Sequence, residues 1–534
     1  MFQRSDAAQH TSAEGDGSFV QAFAQAASLT NTAEWPAPLV ALLAKEGGNA
    51  LASPPQDTAT VTITALPGSA DLLAGARQPL SLIQVYGPDR AFLVDTVAGA
   101  IQAAGGEIVR LAHPVLVVDR SAGSAAPLIR RAVPQDALET RVSLIQALIE
   151  TPSPAVEAEI SAQVADVLAE VALVNRDFKT MLGAVRDVRA GLPTTAPAAV
   201  CDSADPLFDV EEVGAWLDWM CDGNFVFLGV RKLAVTERGA DGAVQEMAAS
   251  EGLGIFRDPE TKVLRRGKEF ADVTPEVQRF LSSGQRLIIT KASVVSRVHR
   301  RVHMDYVGIT LHGPDGAVTG ELRCVGLFTA DAYFESIETL PIVRTRVANL
   351  QKRLGFPDES YNAKALYALL EAYPRDELLQ ISVDELESKI PLLLDLDLRP
   401  RTTAVTRYDD FDRFVSVLVY VPRDRYTTET RAKIGDHLAR AFDGVVRAFT
   451  PSFRANGLVR VHFILGRYGG ETPRVDDRAL SAQIAGLIRD WQDDFAVAAV
   501  AAQNEGAALT PAVAEDFKAA FSPGYRADFS PERA

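Results

Sequence analysis

Between residues 57 and 190 the apolar positions repeat first with the period of a strand and then with that of a helix. Val61 to Leu66 and Leu80 to Tyr86 read as strands, and a helix follows over 92–104, in which Leu93, Val97, Ile101 and Ala104 recur at helical spacing. Gly105-Gly106 ends that helix, because glycine accepts the left-handed cap. Strands over 108–118 and 142–149 and a helix over 155–188 complete a β-α-β-β-α layer, two elements thick around one core. A second pattern starts with a helix carrying Val213, Trp216, Leu217 and Met220 and continues with strands at 225–230, 287–289, 294–302, 307–311 and 320–329. His312-Gly313-Pro314-Asp315-Gly316 is a turn between two of these strands: Pro presets φ and Gly takes positive φ, so the strands pair antiparallel.

Residues 336–398 read as helical, with Ser360 as an N-cap. Ser382-Val383-Asp384-Glu385 reads as a capping box, in which each side chain satisfies the other's backbone N–H. From Thr402 the first pattern returns, with strands at 404–408 and 414–421 and a helix over 429–442 that buries Ile434, Leu438, Ala441 and Phe442. Strands at 445–450 and 458–465, one helix over 475–502 and an uncapped, proline-punctuated tail follow. Residues 1–56 are rich in Ala, Ser, Gln and Gly; with one helix at 19–29 and a Ser53-Pro54-Pro55 link, they read as a mobile arm.

A chain of 534 residues exceeds one core, and 47% hydrophobic with 23% charged residues is the composition of a folded protein. Lys plus Arg at 54 against Asp plus Glu at 70 leaves a net charge of -16, the wrong sign for a nucleic-acid partner. Cys201, Cys221 and Cys324 are far apart and lack C-x-x-C spacing, so neither a disulfide framework nor a thiolate zinc site is implied. A reducing, cytoplasmic location fits, and no run approaches the ~18 apolar residues of a membrane span.

Loops that hold phosphate and clusters that hold metal are not legible. There is no G-x-G-x-x-G, P-loop, G-x-S-x-G or H-E-x-x-H, and Gly252-Leu253-Gly254 is too short to count. No catalytic, cofactor-binding or metal residue is therefore assigned, although a hydrolase or transferase site built from scattered carboxylates is not something a sequence displays. Arg297, His299, Arg301 and His303 alternate in a Val-rich stretch that reads as a strand, which places them on one basic face. Two arginines repel a divalent metal, so the stripe is either a solvated or salt-bridged face or a dock for an acidic surface or an anionic ligand.

A short internal similarity links the two α/β patterns: Val85-Tyr86-Gly87-Pro88-Asp89-Arg90 beside Val419-Tyr420-Val421-Pro422-Arg423-Asp424-Arg425. In both, a strand runs through an Asp-Arg pair into a helix. Asp near a helix start complements its dipole, and Arg holds a carboxylate bidentately. Asp89, Arg90, Arg423, Asp424 and Arg425 are thus candidates for an amino-acid effector site or an interface; the plainer reading is that each Asp caps and each Arg is solvated.

At these residues the chain resembles the amino-terminal region of the large NAD-specific glutamate dehydrogenases of bacteria. The resemblance rests on Gly87-Pro88-Asp89-Arg90-Ala91-Phe92-Leu93-Val94-Asp95, Asn224-Phe225-Val226-Phe227-Leu228-Gly229, Ser296-Arg297-Val298-His299-Arg300 and Gly326-Leu327-Phe328-Thr329. Pro374-Arg375-Asp376-Glu377-Leu378, Arg413-Phe414 and Val419 through Tyr426 continue it in order. It implies an α+β multidomain chain in which two ACT-like βαβ-type domains flank a PAS-like antiparallel β domain, with helical connectors. The expected limits are a mobile arm at 1–56, ACT-like domain 1 at 57–192, the PAS-like domain at 205–335 and a helical connector at 336–400. ACT-like domain 2 then occupies 401–470, and a helix with a truncated linker occupies 471–534.

The resemblance further implies a fragment without the catalytic domain, in a family that oxidises L-glutamate with NAD to 2-oxoglutarate and ammonia. This chain would itself hold no cofactor; its expected partners are the missing catalytic portion, further copies in a homo-oligomer and an amino-acid effector. The alternative is a stand-alone ACT-type amino-acid sensor. Amino-acid-sensing ACT domains often have Gly where Phe92 stands, and Phe92 is expected to fill the space in which a ligand would approach the loop.

Overall fold

The computed structural model describes residues 35–52, 59–66, 79–119, 128–133, 135–137, 140–193, 205–240, 242–266, 269–409, 413–454, 456–467, 472–504 and 520–533, with positions 11, 12, 23, 26, 516 and 517. Cys201 and the Ser53-Pro54-Pro55 link lie outside the described residues, as does most of the expected helix at 19–29. The chain forms two compact units: residues 1–201, 213–264 and 281–334, and residues 202–212, 265–280 and 335–534.

The first unit begins with α1 (Ala37–Leu51), and its first sheet is built from β1 (Thr60–Leu66), β2 (Leu80–Pro88), α2 (Leu93–Ala103), β3 (Ile108–Ala112), β4 (Val115–Asp119), β5 (Leu128–Arg131), β6 (Arg141–Glu150) and α3 (Pro154–Ala190). The strand order is β5-β4-β6-β2-β1, β3 also pairs with β6, and every pairing is antiparallel. Because β2 and β3 both run against β6, they are parallel to each other with a strand between them. The expected strand over 108–118 breaks at His113-Pro114, where proline supplies no N–H to the ladder.

The two central strands, β2 and β6, are buried on both faces. Leu80, Leu82, Tyr86, Leu144 and Leu148 pack with Leu39, Leu43 and Leu51 of α1 and with Phe23. The first 56 residues are therefore not a mobile arm along their described length. Their buried stripe includes the small residues Ala44 and Gly47, so composition concealed it. Within this apolar layer Gln146 Nε2 donates to Gln84 Oε1 at 2.7 Å and to the Leu43 carbonyl at 2.9 Å, joining two buried amides without charge.

The second sheet of this unit follows α4 (Val210–Trp219) and contains β7 (Phe225–Arg238), β8 (Val244–Ala249), β9 (Leu287–Val295), β10 (His303–His312) and β11 (Val318–Phe328). The order is β8-β7-β11-β10-β9, all antiparallel. The 312–316 turn forms as expected, with Gly316 at φ 78° and Gly313 N–H donating to the Ala317 carbonyl. Tyr306, Glu321 and Arg323 are fully buried in this sheet; the Tyr306 hydroxyl donates to Glu321, which also receives Arg323 Nη2 at 3.1 Å. The latter half of α3 serves this sheet too: its buried Asp177 accepts from Gly254 N–H and Arg257 Nη2, both at 2.9 Å.

In the second unit α5 (Val343–Arg353), α6 (Tyr361–Glu371), α7 (Arg375–Gln380) and α8 (Val383–Leu398) precede a four-stranded sheet. Ser360 and Ser382 cap α6 and α8 as expected, but the box at Ser382 is half made: Ser382 Oγ accepts from Glu385 N–H at 3.2 Å, while the Glu385 carboxylate holds Lys389. The sheet comprises β12 (Thr403–Tyr408), β13 (Phe414–Pro422), α9 (Thr428–Ala441), β14 (Val445–Phe453), β15 (Leu458–Gly466) and α10 (Asp477–Leu487), in the antiparallel order β12-β13-β15-β14. Its valine face packs on Ile434, Leu438, Leu480 and Ile484.

The other face meets the helices through charge. Arg407 donates to both oxygens of Glu377 on α7, at 2.6 and 2.9 Å, and His462 lies 3.5 Å from the same carboxylate. Burial works against ionised Glu377, but Arg407 and His462 outweigh it and hold the carboxyl well below its usual range. The expected helix over 475–502 is interrupted, with α11 (Trp491–Asn504) starting afresh after Asp490, and the tail is not uncapped, since Ser522 caps Pro523–Asp528.

Candidate functional site

The first strand-to-helix turn leaves β2 at Pro88, where Asp89 N–H donates to the Arg141 carbonyl at 3.1 Å. Asp89 does not cap α2: the N-cap is Phe92, with no side-chain cap hydrogen bond. Burial pushes the Asp89 carboxyl up, and Arg141 partly opposes this. Asn175 of α3 brackets the turn, with Ala91 N–H donating to its Oδ1 and its Nδ2 donating to the Ala91 carbonyl, both at 3.3 Å.

Phe92 takes φ 72°, the left-handed conformation that glycine adopts without cost. Its ring lies against His299, with centroids 4.9 Å apart. The expected basic strand is a loop between β9 and β10, because β9 stops at Val295 and His299 itself takes φ 65°. His299 N–H donates to Thr96 Oγ1 at 2.8 Å, and its Nδ1 lies 3.1 Å from Asp95. Arg297 reaches Glu170 at 3.0 Å and Asp166 at 3.4 Å on α3. The Arg301 stem lies over Gly99, where a Cβ would come within 3.1 Å of Cδ. His303 instead stays with its own sheet, its Nδ1 3.2 Å from the Ala292 carbonyl. Three of the four basic residues thus meet α2 and α3, and the alternation that suggested one strand face is a loop shaped by the surface it covers.

At the second turn Arg423–Arg425 makes one 3-10 turn and Thr427, not Asp424, caps α9, accepting from Thr430 N–H at 3.0 Å. Arg423 lies over Phe453, 5.7 Å from the ring centre. Arg425 pairs through Nη1 with Asp490, through Nη2 with Asp493 at 3.1 Å and through Nε with Asp424 at 3.4 Å. Asp490 and Asp493 form the reciprocal box that starts α11: Asp493 N–H donates to Asp490 at 2.9 Å and Asp490 N–H to Asp493 at 3.2 Å. Partial burial of Asp490 opposes ionisation, yet the Asp493 N–H and Arg425 lower its carboxyl below the ordinary value.

The five candidate turn residues therefore form two separate sites. Asn175, Thr96 and Glu170 escaped sequence reasoning because ordinary helix positions carry no signal; Asp490-x-x-Asp493 did carry one, as a helix start. Among the described residues no cluster of three His, Cys, Asp or Glu is placed to hold a metal, Cys221 and Cys324 are free thiols, and no helix is long and apolar enough to cross a membrane.

Three family models match the chain in order: the glutamate dehydrogenase ACT1 domain at residues 19–164, helical motif 1 at 340–399 and the ACT2 domain at 404–492. The NAD-specific glutamate dehydrogenase of Halomonas elongata is 33% identical over 456 residues, 85% of this chain and 28% of that protein. The corresponding protein of Pseudomonas aeruginosa is 32% identical over 455 residues, 85% of this chain and 27% of the other. That of Mycobacterium tuberculosis is 28% identical over 469 residues, with the same two shares. The chain spans little more than a quarter of the length of the curated relatives it matches.

Proposed function

Because the chain belongs to the family of the large NAD-specific glutamate dehydrogenases, we propose that it is an amino-terminal regulatory and assembly segment of such an enzyme. The parent reaction converts L-glutamate and NAD to 2-oxoglutarate, ammonia and NADH, and in this reading the NAD site and the reacting groups belong to polypeptide outside these 534 residues. The second sheet of the first unit serves as a PAS-like module, and the chain acts in a cytoplasmic homo-oligomer with that catalytic portion.

One observation carries the proposal: ACT1, helical motif and ACT2 matches follow one another along a chain that covers about a quarter of its relatives. The two turns then take different roles. Asp89 and Arg90 belong to the turn that Asn175 brackets and are assigned to an interface. Arg425 is held by carboxylates, which suits an amino-acid effector, since a charge-assisted contact contributes roughly 1.5 to 3 kcal/mol. The purified chain mixed with L-glutamate and NAD is expected to form no NADH. Steady NADH production by the chain alone would refute the proposal.

A further inference from the structure

The sheet face that meets α6, α7 and α8 holds two buried arginines in unlike settings. Arg407 has both oxygens of Glu377. Arg460, only 8% exposed, stands opposite Tyr420 across β13 and β15 and shares its face with His462, two residues on. Among the described residues it has no carboxylate partner: Nη1 donates to the Ala372 carbonyl at the C-cap of α6, and the buried Nε meets no acceptor. A carbonyl at a helix end offsets a buried charge only in part.

The neighbourhood adds cation rather than anion. Arg454, in the hairpin between β14 and β15, lies 6.0 Å from the centre of the Tyr420 ring. Its carboxylate partner among the described residues, Asp397 of α8, is 3.8 Å away and already accepts from Asn456 Nδ2 at 2.6 Å. Burial, reinforced by Arg454, pushes the Arg460 guanidinium below its ordinary value. Burial pushes the Tyr420 phenol up, against the opposing effect of both arginines, so its hydroxyl keeps a proton to donate. Two guanidinium groups and a phenol therefore converge where the described residues supply one distant carboxylate and one carbonyl. Donors in such excess match an acceptor that carries several oxygens and a negative charge.

We propose that Arg454, Arg460 and Tyr420 form a site for a small oxyanion, phosphate or sulfate as the free ion or as an ester, between the helical motif and the ACT2 sheet. The site lies on the sheet face opposite the one that packs on α9 and α10. Bound there, the oxyanion gives Arg460 the counter-charge that Glu377 gives Arg407. It also ties the C-terminal ends of α6 and α8 to the sheet, through Ala372 and Asp397. The inference goes beyond the regulatory reading and does not depend on it.

The test is calorimetric titration and thermal unfolding of the whole chain with phosphate and with sulfate, against chloride at matched ionic strength. Saturable binding and a melting temperature that rises with oxyanion but not with chloride are expected. Arg460→Met replaces the unpaired charge with an apolar chain; it is expected to abolish the oxyanion response and, without oxyanion, to melt no lower than the wild type. If Arg460 served only to clamp Ala372, the variant would lose the same stability with and without phosphate, and that result would overturn the inference. Arg454→Gln, at a partly exposed position, guards against loss of the fold and is expected to weaken binding roughly tenfold or more. Arg401→Gln, which breaks an exposed pair with Asp395, is expected to leave the affinity unchanged. Glycerol 3-phosphate separates the two sources: affinity equal to that of phosphate assigns the site to an ester, and weaker affinity assigns it to the free ion. No saturable binding of phosphate or sulfate, or binding untouched by Arg454→Gln and Arg460→Met, would sink the proposal. A chain that binds phosphate through these residues and also forms NADH would refute the regulatory reading while leaving this site in place.

Discussion

The ACT1 and ACT2 regions share a four-stranded core in one order, β1-β2-β6-β3 in the first and β12-β13-β15-β14 in the second, which β4 and β5 extend in the first, yet they are closed by different chemistry. Behind the first sheet, the Gln146 amide bridges Gln84 and a backbone carbonyl; behind the second, Arg407 and His462 converge on Glu377. The turns differ in the same sense, with the first covered by an aromatic contact between Phe92 and His299 and the second by Arg425 and aspartates. One topology therefore leaves open whether neutral or ionic groups seal it, and the choice decides how each region answers to acid, salt and competing anions.

The strongest test of this contrast is Glu377→Gln, which leaves the buried Arg407 guanidinium without its counter-charge. A loss of roughly 3 to 5 kcal/mol is expected, read from denaturant unfolding and from amide exchange in β12 and β13. The pH dependence is signed: Glu377 titrates lower folded than unfolded, so its contribution is present above its unfolded value and is lost as pH falls through the strongly acidic folded one.

The first region should respond at milder acidity. Burial lowers His113 from 6.5 to about 4, and its Nε2 lies 2.7 Å from Ser143 Oγ. Between those values the unfolded chain takes up a proton that the folded chain refuses, so stability falls by up to a few kcal/mol as pH drops from 6.5 towards 4. His113→Gln is expected to flatten that slope in amide exchange of β4 and β6 and to leave the slope at β12 unchanged; identical pH profiles in both sheets would erase the contrast.

Asn175→Ala removes both bonds to the Ala91 peptide and is expected to cost about 1 to 3 kcal/mol, with faster exchange at Ala91 and Asp89. The smallest effect should come from Phe92→Gly. It relieves left-handed strain of about 1 to 2 kcal/mol and forfeits a ring contact of about 0.5 to 1.5 kcal/mol, so the melting temperature should barely move. A large loss would mean that the ring does more than cover the turn.

Elements with a local cause were legible in the sequence. The 312–316 turn, the caps at Ser360 and Ser382 and the Ile434 and Leu438 stripe each need only neighbours a few residues away. What escaped depends on distant partners. Residues 296–302 alternate like a strand but bend to fit α2 and α3, and α1 buries Ala44 and Gly47, whose small size gives no sign of a core. Arg425 and the basic residues at 297–303 were legible as cations but not in their loop geometry, and the acidic groups that receive them were not singled out, because a carboxylate on a helix surface looks the same whether it faces water or an arginine.

The 37 residues of α3, about 55 Å at 1.5 Å per residue, run past one sheet and then another, and the chain later returns through Arg297 and His299 to touch α2 and α3 again. Such a circuit closes geometrically only if the helix has the right length. One residue added between Val171 and Asp177 would turn everything beyond it by about 100°, carrying Asp177 away from Gly254 and the returning loop away from its seat. Side chains along the outer flank are free to vary, whereas the residue count between the two sheets is fixed as the tooth count is in a meshed gear.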